Sequence, residues 1–310
     1  MGILEDAPVC AGVGEILFDV IGGVARLGGA PGNFAYMCSQ LGFRSCPVAA
    51  VGRDALGDRA VSELKSAGLD TSCIERSDRP TGTVEVKVDE RGIPSYEFSS
   101  DCAYDHLEWS GALDSLARTC SIACFGSLCQ RAPKAGEAVR RFAETARQSG
   151  AITVFDVNLR QRFYSKEVIV SSLALAQIVK CNDEELPVIA DLAGAGADPQ
   201  GFFRDLEGRF GCSMLVLTRG SHGSAVYSKD GASDLPGQEV RVADTVGAGD
   251  AFTAVLCCAM AKGLPIGKAH RLAAKAAAAV CSQSGAMVPL PDEVRSELLS
   301  RRAALRRQSR

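Results

Sequence analysis

The sequence predicts an α/β protein built on a mostly parallel sheet flanked by helices, with a small β appendage. Three observations carry this. From about Cys120 onward, short β-branched runs alternate with longer amphipathic segments, the rhythm of strand–helix–strand units. The 310 residues, 46% hydrophobic and 23% charged, suffice for one sizeable core. Two segments, Glu15 to Leu27 and Thr83 to Phe98, break the rhythm and read as short antiparallel strands.

In chain order, Val9 to Val13 is the first expected strand. Glu15 to Leu27 follows as short strands around Gly22-Gly23, then a helix over Asn33 to Leu41, a strand over Val48 to Val51 and a helix over Ala55 to Ala67. Thr83 to Phe98 reads as a hairpin, because Val84, Val86 and Val88 alternate with Thr83, Glu85 and Lys87 ahead of a turn near Arg91-Gly92. Further strands are expected over Ser121 to Phe125, Ala151 to Asp156, Ile178 to Cys181 and Met214 to Thr218. Helices are expected over Lys134 to Gln148, Asp183 to Ala190, Pro199 to Arg209, Ala248 to Lys262 and Pro265 to Ser282. No linker-like stretch divides the chain, so residues 1–310 are expected to form one domain with a flap made of residues 15–27 and 83–98.

Several functional classes are disfavoured. The longest apolar stretch, Ala273 to Val280, is interrupted by Lys275 and is too short to span a membrane. Glu5 and Asp6 precede any apolar run, which argues against a secretory signal. The balance of 34 basic against 37 acidic side chains gives no footprint for nucleic acid. Arg301, Arg302, Arg306, Arg307 and Arg310 read as the solvated end of a C-terminal helix. Thirteen cysteines, an odd number with no C-x-x-C, point to reduced thiols packed as small core residues in a cytoplasmic protein rather than to disulfides or zinc.

Chemistry concentrates near the C-terminus. In Asp244-Thr245-Val246-Gly247-Ala248-Gly249-Asp250-Ala251-Phe252, small residues open a helix, so backbone N–H groups can converge on an anion. A carboxylate at Asp250 would repel that anion unless it has a task such as accepting a proton; a plain cap and glycine turn is the alternative. Other Gly-rich devices fail. Gly267-Lys268 is followed by Ala269 and so cannot close a Walker A loop, and neither Gly12-Val13-Gly14 nor Gly247-Ala248-Gly249 completes G-x-G-x-x-G.

Gly28-Gly29-Ala30-Pro31-Gly32-Asn33 and Asp244 to Phe252, in that order and roughly 215 residues apart, resemble the two signature motifs of the PfkB, or ribokinase-like, carbohydrate kinases. The resemblance covers essentially the whole chain and implies a three-layer α/β/α fold with a mostly parallel central sheet and a small β lid. It implies an ATP-dependent sugar kinase that uses Mg²⁺, with Asp250 as the base and the backbone of Gly247, Ala248 and Gly249 as the anion hole. Asp19, Gly29 and Asn33 match positions that hydrogen-bond sugar hydroxyls; taken alone, Asp19 would pass as a turn residue and Asn33 as a helix cap.

On the nucleotide side, Asn182 and Glu185 resemble an N-x-x-E element that organises Mg²⁺ and phosphates. Thr218, Gly220 and Gly223 resemble the turn that lines the nucleotide, and Arg160 could meet a phosphate. His222, beside that turn, reads as an exposed loop residue. Asp244 matches the edge of a monovalent-cation (K⁺) site completed by carbonyls near Val280 to Gly285. The flap matches a lid that closes over the sugar and in many members pairs with a second subunit's lid. The first motif is most similar to fructokinases, favouring fructose or a related ketohexose; ribose, tagatose, 2-keto-3-deoxygluconate, adenosine or a non-catalytic sugar-binding regulator are the alternatives. Ser95 to Asp101 contains no arginine, against the Tyr-Arg pair of many fructokinases and 2-keto-3-deoxygluconate kinases, which disfavours acidic sugars and weakens the assignment to fructose.

Overall fold

The computed structural model describes residues 7–88 and 94–301. A nine-stranded sheet forms the centre. Its strands are β1 (Val9–Val13), β4 (Arg44–Gly52), β5 (Ile74–Ser77), β8 (Ile122–Phe125), β9 (Ile152–Asp156), β10 (Ile178–Asn182), β11 (Met214–Thr218), β12 (Ser224–Ser228) and β13 (Gly231–Leu235). Their order is β13-β12-β11-β10-β9-β8-β1-β4-β5, parallel from β11 to β5 and antiparallel across β11, β12 and β13.

A second sheet holds β2 (Leu17–Ile21), β3 (Val24–Gly28), β6 (Gly82–Val88) and β7 (Pro94–Phe98) in the order β3-β2-β6-β7. It is not wholly antiparallel. Two hairpins are joined through a parallel β2–β6 pair, because both strands leave the central sheet in the same direction. The expected turn at Arg91-Gly92 lies outside the described residues, as do Arg302, Arg306, Arg307 and Arg310.

The helices are α1 (Ala30–Ser39), α2 (Ala55–Ser66), α3 (Gly111–Thr119), α4 (Pro133–Gln148), α5 (Lys166–Leu175), α6 (Glu185–Ala193), α7 (Pro199–Phe210), α8 (Ala248–Ala261), α9 (Ile266–Cys281) and α10 (Asp292–Leu299). Local chemistry sets several starts. Asp54, Ser110, Ser165 and Asp198 each accept a backbone N–H three residues on, satisfying a donor that the first helical turn leaves orphaned. The helix expected from Asn33 starts at Ala30 instead, since Pro31 supplies a fixed φ in the first turn and needs no hydrogen-bond acceptor there.

The central sheet separates two apolar cores. One packs α3 to α7 against one face, and the other packs α1, α8, α9 and α10 against the opposite face. All thirteen cysteines are free thiols, twelve of them buried. Among the described residues no helix is long and apolar enough to cross a membrane.

Candidate active site

Asp250 lies in the first turn of α8 and is 9% exposed. The turn before it requires glycine. Gly247 has φ +80°, and a Cβ there would stand 2.7 Å from Ala286. From α1, the Asn33 amide donates to Asp250 Oδ2 at 2.8 Å, so the two sequence motifs meet at one hydrogen bond. Burial pushes the Asp250 carboxyl up to about 6; Asp156 adds to the rise, while Asn33, Lys180 and Arg160 oppose it. The first-turn amides of α8 have no partner one turn back in the helix. The Ala248 amide is turned toward Thr245 O at 3.3 Å, which leaves those of Gly247 and Gly249 as the better-placed anion donors.

Beneath this turn lies a buried ion pair. Lys180 Nζ from β10 donates to Asp156 Oδ1 from β9 at 2.8 Å, and the Thr253 hydroxyl of α8 donates to Asp156 Oδ2 at 2.8 Å. A Cβ on Gly249 would stand 3.3 Å from Lys180 Nζ, so the ammonium sits directly against the opening of α8. Desolvation works against the Lys180 charge, but Asp156, with Glu185 and Asp250, more than compensates, and the Lys180 pKa is raised.

On the other wall, Glu15 follows β1 and is 7% exposed, with Oε2 lacking a hydrogen-bond partner among the described residues. Burial raises its carboxyl to about 7, against the stabilising effect of its own amide, Arg160 and the Ala30 amide. Glu15, Asp156, Asn158, Arg160 and Asp250 line one cavity. Asp19 stands on β2, outside those walls, with its pKa raised by partial burial and by Asp244, against the attraction of Arg160. The glycine pair shapes both carboxylates' surroundings: a Cβ on Gly28 would lie 2.7 Å from Asp19 Oδ2, and one on Gly29, at φ +110°, 2.4 Å from Glu15 O. Arg160 is exposed at the cavity mouth, in a loop where Asn158 (φ +40°) and Gln161 (φ +47°) hold left-handed backbone. Gln161 ties that loop to the second sheet through Tyr96 O at 2.5 Å.

Toward the carboxyl ends of β10 and β11, Asn182 Oδ1 accepts the Glu184 and Glu185 amides at 3.0 and 2.7 Å. Glu185 in return accepts the Asn182 amide at 2.9 Å and the Leu159 amide at 2.8 Å. This reciprocal clamp fixes the start of α6. Its oxygen-only donors, with Asp183 beside them, fit the preference of a hydrated Mg²⁺, each Glu185 oxygen keeping a lone pair beyond its amide bond. Thr218 pairs with Asn182 across the sheet and leads to the turn containing Gly220 and Gly223. His222 is exposed there. Asp244 joins two loops, accepting the Val246 amide at 3.0 Å and the Gly285 amide at 3.1 Å. The carbonyls of Val280 and Cys281 already accept backbone amides.

Asp250 and Arg160 thus line one cavity, with Asn33 hydrogen-bonded to Asp250 and Asp19 within electrostatic reach. Asn182, Glu185, Thr218, Gly220 and Gly223 gather separately at the β10–β11 edge. Sequence reasoning missed Glu15 and Lys180. Each left a signal: a lysine inside the apolar run Ile178-Val179-Lys180-Cys181, and a glutamate between a glycine and an apolar strand.

Residues 15–293 match the pfkB family carbohydrate kinase model. A sugar kinase of Pyrococcus horikoshii is 31% identical over 306 residues, covering 92% of this chain and 94% of its own. Its structure in complex with ATP aligns with a TM-score of 0.79 at 27% identity, over 94% of this chain and 100% of that one. Escherichia coli fructokinase is 28% identical over 300 residues, covering 87% of this chain and 91% of its own. A fructokinase structure from Xylella fastidiosa aligns with a TM-score of 0.81 at 24% identity, over 96% of this chain and 98% of that one.

Proposed function

The chain belongs to the pfkB family of carbohydrate kinases, and on that premise we propose that it transfers the γ-phosphoryl group of ATP to a hydroxyl of a small sugar, with fructose or a related ketohexose as first candidate. Its fold is ribokinase-like, and its family makes it a phosphotransferase with a sugar acceptor. The choice of ATP and of a ketohexose draws on relatives: the P. horikoshii kinase structure that holds ATP and the E. coli enzyme named fructokinase.

The observation that carries the reading is Asp250, a buried carboxylate at the glycine-opened start of α8, held by Asn33 from the other signature motif. A base with a pKa near 6 is ionised at neutral pH yet basic enough to take a hydroxyl proton. As the sugar oxygen bonds to the γ-phosphorus, its proton passes to Asp250 and the bond to the ADP oxygen breaks. The amides of Gly247 and Gly249, with Lys180 behind them, face the charge on the transferred group. Asn33 Oδ1, buried and without a partner among the described residues, would accept a sugar hydroxyl, and Asp19 would approach from the second sheet. Asn182 and Glu185 would hold a hydrated Mg²⁺, which when bound offsets phosphate charge; Thr218, Gly220, Gly223 and Arg160 would border the nucleotide. Asp244 would edge a K⁺ site.

The second sheet would serve as a lid, with its loop contact at Gln161 already made. Val24, Ile21, Val86 and Tyr96 occupy directly opposed positions across all four of its strands, and Val24 (60%), Ile21 (46%) and Tyr96 (53%) are exposed. This apolar row suits pairing with the lid of a second copy. Residues 1–310 would act as one kinase domain, and thirteen free thiols suit a reducing cytoplasm.

The test is ADP release by the purified protein with Mg-ATP against fructose, tagatose, ribose, 2-keto-3-deoxygluconate and adenosine. Turnover is expected with a ketohexose; turnover only with adenosine or ribose would reassign the acceptor, and none with any would remove the proposal.

A further inference from the structure

Two buried side-chain oxygens beside Asp250 lack a hydrogen-bond partner among the described residues: Asn33 Oδ1 and Glu15 Oε2. Buried acceptors are ordinarily satisfied, so an orphan on a residue that lines a cavity marks a place for a donor. Glu15 lines the cavity shared with Asp250 and Arg160, and its charge is favoured by its own amide and that of Ala30, at the start of α1. Lys180 does not neutralise it, being bonded to Asp156.

We propose that Glu15 is a specificity-determining residue of the acceptor site: its Oε2 accepts a hydrogen bond from a sugar hydroxyl next to the one that Asp250 deprotonates, selecting uncharged polyhydroxylated acceptors over sugar acids. The inference rests on the sugar-kinase reading and names the class of sugar within it. The selection is electrostatic as well as geometric. Glu15, Asp19 and Asp250 present three carboxyl groups toward the acceptor side, and among the described residues one guanidinium, Arg160, acts on all three from the cavity mouth. A hydroxyl can donate to such a wall. A carboxylate cannot, and is repelled by it.

The experiment uses the full-length enzyme with Glu15→Gln and Glu15→Ala, a monodeoxy series of the sugar it turns over best, and 2-keto-3-deoxygluconate as acidic probe. Calorimetry with a non-hydrolysable ATP analogue runs alongside. Glu15→Ala is expected to raise the sugar KM at least tenfold, with nucleotide affinity changed less than twofold. One deoxy sugar that the wild type uses at least tenfold less well should be used by Glu15→Ala as well as the parent sugar. Glu15→Gln, which keeps an accepting oxygen but no charge, should retain part of the parent affinity and narrow the preference over the acidic probe at least tenfold. It also keeps the test intact where the alanine variant does not fold. An unchanged sugar KM in both variants, or equal losses on every deoxy analogue, overturns the role of Glu15 while leaving the kinase reading standing. Failure of the wild type to bind or phosphorylate any sugar removes both.

Discussion

Replacing Asp250 by Asn tests the site on two independent axes. The substitution is isosteric, and its side-chain carbonyl can still accept the Asn33 amide that now bonds Oδ2 at 2.8 Å. It removes the only atom proposed to take the sugar proton, so kcat should fall by about 10²- to 10⁴-fold while nucleotide affinity holds. The second axis is stability. Asp250 rises from 3.8 to about 6 on folding because burial and Asp156 disfavour its charge. The folded chain therefore binds this proton more tightly than the unfolded chain, and stability is lost as pH rises from about 4 through about 6. At about 1.4 kcal/mol per tenfold change, the ionised group costs the fold up to about 3 kcal/mol at pH 8 and roughly half of that at pH 5. Urea unfolding of Asp250→Asn should show a gain over wild type at pH 8 that shrinks at pH 5. A variant with near-normal turnover would remove Asp250 as the base. A gain that is absent at pH 8, or identical at both pH values, would refute the account of its buried charge.

Asp19→Ala should raise the sugar KM at least tenfold, since a charge-assisted bond worth roughly 1.5 to 3 kcal/mol is lost, and leave ATP affinity measured without sugar unchanged; a collapse of ATP affinity instead would reassign the N-terminal motif. Gly28→Ala and Gly29→Ala should part company. The first places a Cβ 2.7 Å from the movable Asp19 carboxylate and should raise the sugar KM with little effect on melting. The second, at φ +110° and 2.4 Å from Glu15 O, should destabilise the fold by about 1 to 3 kcal/mol in urea titrations. Initial rates in K⁺ should exceed those in Na⁺ at equal ionic strength if a cation orders the Asp244 loop; equal rates would remove that site.

Much of the fold was legible because its signals are local. Buried parallel strands such as Met214–Thr218 read as apolar β-branched runs, and α7 begins at an Asp-Pro pair whose cap and fixed φ are written in two residues. The helices α3 and α5 are hard to see although Ser110 and Ser165 announce them: α3 is only nine residues long, and α5 carries the β-branched run Val168-Ile169-Val170, which reads as a strand. The antiparallel edge of β12 and β13 carries polar residues such as Ser228 and Ser233, which weaken the alternation that marks a strand. The Asp183 start expected for α6 shifted to Glu185 because the Asn182–Glu185 clamp, once both ends are bonded, occupies the two residues before the helix.

The sequence by itself determined the family, the two signature motifs and the residue types of the chemistry, because glycine-opened turns and a carboxylate at a helix start have a physical meaning wherever they occur. Tertiary structure decided what those residues face. Asn33 and Asp250 are 217 positions apart and share a hydrogen bond only because α1 and α8 pack on the same face of the sheet. Lys180 and Asp156 look like one misplaced charge and one strand end until β9 and β10 set them side by side beneath α8. Glu15 is unremarkable in the chain, yet burial beside Asp250 leaves its Oε2 without a donor among the described residues. Desolvation and charge proximity depend on distances through space, and no spacing along the chain encodes them.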